Sequence, residues 1–175
     1  MNPLRFPLSL VLLLFLWLPV ARGEDIMPPF GLEWGEAPER LNTLLANGGA
    51  KVVEKKTLHG RTVWTVEGLV QPNLKCTVFY FRNGGLNEVE MQYQNATWID
   101  NNYNDFMSNL RTRIERRFGP GKLTARSKAP VEGVTQTLVG YSWARGPSQI
   151  DLVYFAAEVP SQVYRTVSLH YKSLQ

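Results

Sequence analysis

Apolar residues recur at three- and four-residue intervals in two stretches of the chain and at alternate positions through most of the rest. In the first stretch, Glu36 to Ala46, Leu41, Leu44 and Leu45 line one side, Pro38 stands in a first-turn position and Asn47-Gly48-Gly49 supplies a stop. That combination predicts a short amphipathic helix. The second runs from Asp100 to Phe118, with Tyr103, Phe106, Met107, Leu110, Ile114 and Phe118 as its apolar positions. Asp100 or Asn101 is the candidate cap and Gly119-Pro120-Gly121 ends the pattern. At 100° per residue these six side chains fill an arc of about 120°, the width of a helix lying on a sheet.

Alternation predicts strands at Lys51 to Thr57, Arg61 to Val70, Lys75 to Arg82 and Leu86 to Tyr93. The intervening Leu58-His59-Gly60, Gln71-Pro72-Asn73 and Asn83-Gly84-Gly85 are short and rich in turn formers, so the strands should be neighbours in an antiparallel meander. Lys122 to Val134 predicts a loop with at most a short strand. Gln136 to Ala144, Gln149 to Ala156 and Arg165 to Lys172 predict three further strands.

The two halves echo each other. Val78-Phe79-Tyr80-Phe81 followed by Val89-Glu90-Met91-Gln92-Tyr93 resembles Leu152-Val153-Tyr154-Phe155 followed by Val167-Ser168-Leu169-His170-Tyr171. Each half also runs in the order helix, glycine stop, tryptophan-bearing strand, Tyr-Phe strand. The fold class predicted is α+β: two tandem helix-plus-antiparallel-meander units of α-β-β-β type, residues 24–97 and 98–175, with helices packed on one face of the sheet. The alternative reading is that amphipathic strands resemble one another whatever their ancestry.

Ahead of these units, Met1 to Gly23 carries Arg5, then the apolar run Leu8 to Leu18, Pro19, and Val20-Ala21-Arg22-Gly23. Ala21 and Gly23 at −3 and −1 predict a signal peptide cleaved before Glu24. The run is too short for a membrane-spanning helix, which needs about 20 apolar residues, and no transmembrane segment is expected after cleavage. The expected location is exported, periplasmic or secreted. Of the 19 Lys and Arg residues the leader holds two and none of the 15 acids, so the mature chain is nearly neutral. That balance gives no mandate for nucleic acid. With 44% hydrophobic and 19% charged residues the chain fits neither disorder nor a membrane protein.

One cysteine, Cys76, excludes an intramolecular disulfide, and its distance from the cleavage point excludes a lipid-bearing N-terminal cysteine. It lies in the strand Lys-Cys-Thr-Val-Phe-Tyr-Phe-Arg, where an inert buried thiol, an intermolecular disulfide and a nucleophile are the alternatives.

Gly31-Leu32-Glu33-Trp34-Gly35, followed by a short helix, a meander and a second such unit, resembles in layout a class of exported bacterial α/β-repeat proteins. The secreted β-lactamase-inhibitor proteins and the small SmpA/OmlA-like outer-membrane assembly factors are of this kind. The resemblance covers most of residues 30 to 172 and implies a protein-binding sheet. It transfers no functional residue, because the chain lacks the assembly factors' lipid-bearing cysteine and the inhibitors' paired cysteines.

Catalytic motifs are sparse. His59 lies in a turn, and His170 alternates out of phase with Val167, Leu169 and Tyr171; neither has a neighbouring ligand at metal spacing. There is no Gly-x-Ser-x-Gly turn, no phosphate-cradling glycine loop and no dinucleotide fingerprint. Glu88 and Glu90 share one face of a strand, while Glu33, Glu36 and Glu39 surround the first helix start. No catalytic residue, cofactor or metal is assigned. Two binding features remain. The basic patch comprises Arg111, Arg113, Arg116, Arg117, Lys122, Arg126 and Lys128, set against Glu115 alone; it reads as an anion-binding site or as a solvated helix end. The aromatic surface comprises Trp64, Tyr80, Tyr141, Trp143 and Tyr154, which read as an interface or as core beneath the helices. The function expected is a non-catalytic interaction protein whose partner is a protein or an anionic cell-envelope component, with a homodimer possible. A hydrolase assembled from distant strands and a structural homo-oligomer module are the alternatives.

Overall fold

Local chemistry sets the boundaries of the elements in the computed structural model, which describes residues 24–175. The leader expected over residues 1–23 lies outside the described part. Ala37 caps helix α1 (Pro38–Asn47), with the proline in the first turn where its missing N–H costs nothing. After it come β1 (Lys51–Leu58), β2 (Arg61–Glu67), β3 (Leu74–Arg82) and β4 (Gly85–Tyr93). Three of the hairpin turns carry paired positive φ angles, His59 and Gly60 at 49° and 74°, Asn83 and Gly84 at 51° and 78°, Glu132 and Gly133 at 50° and 82°. That geometry follows the right-handed twist of the flanking strands. Helix α2 (Asp100–Phe118) begins at Ile99, whose amide is held by Asn102 Oδ1 at 3.0 Å, and ends at Gly119 with φ 81°. Four long strands complete the chain: β5 (Lys122–Val131), β6 (Val134–Arg145), β7 (Ser148–Val159) and β8 (Gln162–Ser173).

All eight strands belong to one antiparallel sheet in the order β1-β2-β3-β4-β8-β7-β6-β5. Strand accounts for 52% of the described residues and helix for 19%. This corrects the expected α+β fold of two tandem helix-plus-meander units: the molecule is nearly all sheet, and strands from both parts of the chain share one ladder. The physical reason is the edge. A separate meander would leave the outer amides and carbonyls of β4 and β8 unpaired, and pairing the two strands satisfies both rows. Their register sets Val89 opposite Tyr171, Met91 opposite Leu169 and Tyr93 opposite Val167, so apolar side chains from both strands share one face. The segment Lys122 to Val131, expected to be mostly loop, is a ten-residue edge strand.

That apolar face carries the core. Under α2, the buried Tyr103, Met107, Leu110 and Ile114 pack with Tyr93, Leu152 and Leu169. Each such side chain contributes roughly 1.5–3 kcal/mol of burial before its ordering cost. Under α1, Leu41 and Leu45 pack with Trp64, Val66, Phe79 and Val89. The segment before α1 straps the two clusters together, Ile26 entering the first and Leu32 the second. Trp34 Nε1 donates to the Ile26 carbonyl at 3.0 Å, and the amides of Gly35 and Leu86 donate to Leu86 and Glu36 carbonyls at 2.8 and 2.9 Å. A Cβ on Gly85 would sit 3.0 Å from the Gly35 Cα, so the strap lies against β4 as closely as backbone allows.

Candidate functional site

The other face of the sheet is where polar chemistry gathers. Both helices, the strap and Trp98 of the β4–α2 connection belong to the core clusters on the apolar face, so among the described residues no helix lies over the opposite one. Alternation sends Glu88, Glu90 and Gln92 of β4 to that face, and register brings Lys172, His170 and Ser168 of β8 opposite them in that order. Asp151 of β7 stands opposite His170, and Tyr80 of β3 opposite Glu88.

These groups form one network. Arg61 Nη1 donates to Glu88 Oε2 at 2.7 Å, and His170 Nδ1 lies 3.0 Å from Glu88 Oε1. Tyr80 Oη, Gln92 Nε2 and Ser168 Oγ donate to Glu90 at 2.8, 2.7 and 3.3 Å. Lys172 Nζ and Gln149 Nε2 donate to Asp151 at 2.8 and 2.7 Å. Burial pushes the Glu88 carboxyl up, but hydrogen bonds from His170 and Arg61 and the charge of Lys172 outweigh it and leave its pKa lowered. Asp151 is lowered in the same way, burial being outweighed by Lys172, Ser142 and Gln149. Burial and the neighbouring Glu90 push the Tyr80 phenol up, so it stays protonated and donating.

Ser168 gives its hydroxyl to the Glu90 carboxylate, and the Nδ1 of His170 is taken by Glu88. His59 sits apart, exposed in the β1–β2 turn. Among the described residues no group of three His, Cys, Asp or Glu side chains is set to hold a metal ion. Beside the charged network the same face turns apolar. The Phe155 and Tyr164 rings lie 6.3 Å apart, Tyr164 is 41% exposed, and Leu138 is half-buried opposite Phe155.

The residues singled out from sequence are distributed differently. Trp64, Trp143 and Tyr154 are buried in the core clusters, and Tyr141 is half-buried against one of them. Tyr80 points to the opposite face, so these five do not form one aromatic surface. The seven basic residues are also divided. Arg111 is engaged by Glu115 at 2.8 Å and by the Tyr141 hydroxyl at 3.0 Å, and Arg117 pairs with Glu24. Arg113 and Arg116 are exposed on α2, while Lys122, Arg126 and Lys128 lie along the edge strand β5, where charge discourages pairing with another chain. Sequence reasoning missed Arg61, Asp151, Lys172, Phe155 and Tyr164 as members of a site. The signals that existed were the phase of His170 and the shared face of Glu88 and Glu90.

A groove of about 520 Å³ opens on the apolar face, between α2 and the strap. Met91, Ile150 and Leu169 form its floor, Phe30 lies on the strap side, and Arg113 and Arg117 stand on the α2 side. No protein-family model, curated protein or solved structure matches the chain.

Proposed function

We propose that the protein is an exported, non-catalytic binding protein that receives a partner protein on the helix-free face of its sheet. The observation carrying this reading is the pairing, on that face, of partly exposed Phe155 and Tyr164 with a charge network already tied by hydrogen bonds. Aromatic anchors beside ordered polar groups are the anatomy of protein interfaces, and side chains ordered before binding cost less to dock. Charges of both signs are mixed there, Glu54, Glu67, Glu88, Glu90 and Asp151 among Lys51, Lys56, Arg61, Lys122 and Lys172, which favours a partner with both signs around an apolar centre. The leader sequence supports export, and the layout resemblance supports a protein-binding sheet.

Site-specific photo-crosslinking in the source cell tests the reading. Phe155→p-benzoylphenylalanine and Tyr164→p-benzoylphenylalanine, irradiated separately, should yield one adduct of the same mass, absent when Asn109 on the outer side of α2 is replaced. No adduct, an adduct equally strong from position 109, or an adduct composed of two copies of this chain would overturn it.

A further inference from the structure

We infer that the groove between α2 and the strap binds an amphiphile with one hydrocarbon chain and one anionic head group. This site lies on the opposite side of the sheet from the proposed protein-binding face and stands independently of it.

The groove exists because the helices cover different parts of the sheet. Helix α1 packs over β2, β3 and β4, and α2 over β7, β8 and Tyr93 of β4, which leaves the stretch of the β4–β8 seam at Met91, Leu169 and Tyr171 open between α2 and the strap. Two strap residues, Met27 at 49% and Phe30 at 43% exposure, keep apolar surface at the mouth instead of closing it. The volume, about 520 Å³, suits a single small molecule. At the floor Gln71 Nε2 donates to the Tyr93 hydroxyl at 2.9 Å, and that hydroxyl lies 3.9 Å from the Met91 sulfur. With its polar atoms engaged, the floor offers hydrocarbon a surface that needs no further hydrogen bonds.

The charged residues that line the groove are both cations. Arg113 and Arg117 stand one turn apart on α2, and no Asp or Glu lines the groove. Arg113 makes no ion pair among the described residues, and Arg117 is held by Glu24. Tyr171 lines the same groove as both guanidinium groups, so cations and a phenol border one apolar trough. An anionic head would bond Arg113 and reach Tyr171, with its chain along Met91, Ile150 and Leu169. Carboxylate and phosphate heads share this chemistry.

Calorimetric titration of the whole chain with laurate, dodecyl phosphate and dodecyl maltoside, each below its micelle threshold, tests the assignment. Laurate and dodecyl phosphate should bind at one shared site, the tighter naming the natural head group, and the neutral maltoside should bind about tenfold more weakly or not at all. Arg113→Gln should weaken the anions by about tenfold, while Arg116→Gln, on the same helix but outside the groove, should leave them unchanged. Equal affinity for the neutral amphiphile, equal loss in both variants, or no saturable binding would overturn the inference.

Discussion

The His170 imidazole and the Glu88 carboxylate meet at 3.0 Å across the β4–β8 seam, one rung out of register, since Glu88 faces Lys172 and His170 faces Glu90. An ionised carboxylate only accepts hydrogen bonds, so Nδ1 carries the proton that joins them. The diagonal contact lets Glu88 gather Arg61 from β2 as well, and one acid thereby ties together strands far apart in sequence.

Acid should loosen that tie. Because the Glu88 pKa is lowered on folding, the unfolded chain takes up its proton first as pH falls. The associated stability is complete above the ordinary carboxylate pKa of about 4.3 and is lost as pH drops through the native value. Urea midpoints measured between pH 7 and pH 3 should therefore fall with acid, and Glu88→Gln should flatten that dependence.

Arg61 and Glu88 should be energetically coupled. Their side chains are 23% and 11% exposed, so solvent screens them only partly. Arg61→Ala removes a charge-assisted hydrogen bond and should cost about 1–3 kcal/mol in chemical denaturation. In a double-mutant cycle with Glu88→Gln, the second substitution should cost less once the first is made, with a coupling of about 1 kcal/mol.

Gly121 marks a steric limit. A Cβ there would overlap the indole of Trp143, whose Nε1 donates to the Gly119 carbonyl at 3.0 Å. Gly121→Ala should displace the ring, destabilise the fold by about 1–3 kcal/mol and shift tryptophan emission to longer wavelength. Gly133→Ala is the contrast: its cost comes from a φ of 82°, with open space around the site, and emission should not move.

Cys76 should be unreactive. Burial, reinforced by Glu90, pushes its thiol pKa up, and its sulfur lies 3.4 Å from Gln92 Oε1. Aromatic disulfide reagents should label it slowly in buffer and rapidly in urea, and non-reducing gels should show no disulfide dimer.

Residues that repeat with the period of a buried helix were legible. Tyr103, Met107, Leu110, Ile114 and Phe118 are all buried in α2, whose limits coincide with the spacing-based expectation. Strand β5 was not, because nine of its ten residues are exposed; as an edge strand it is held by hydrogen bonds to β6 and has no buried alternation to display. The seam was equally hidden. Nothing near Glu90 in sequence announces that His170 will stand beside it, because a ladder between remote strands is settled by unpaired edges and matching apolar faces. Hence the polar network escaped notice even though Glu88, Glu90 and His170 were each assigned a face.

Strand β8 is the last described element to be synthesised, yet it occupies an interior slot of the sheet, between β4 and β7. Until residues 167–172 emerge from the ribosome, the outer edge of β4 and much of that of β7 have no rung to meet, and a nascent chain carries two adhesive flanks that β8 later closes. Such long-range closure makes for slow folding, and a chain interrupted before Val167 would be prone to self-association.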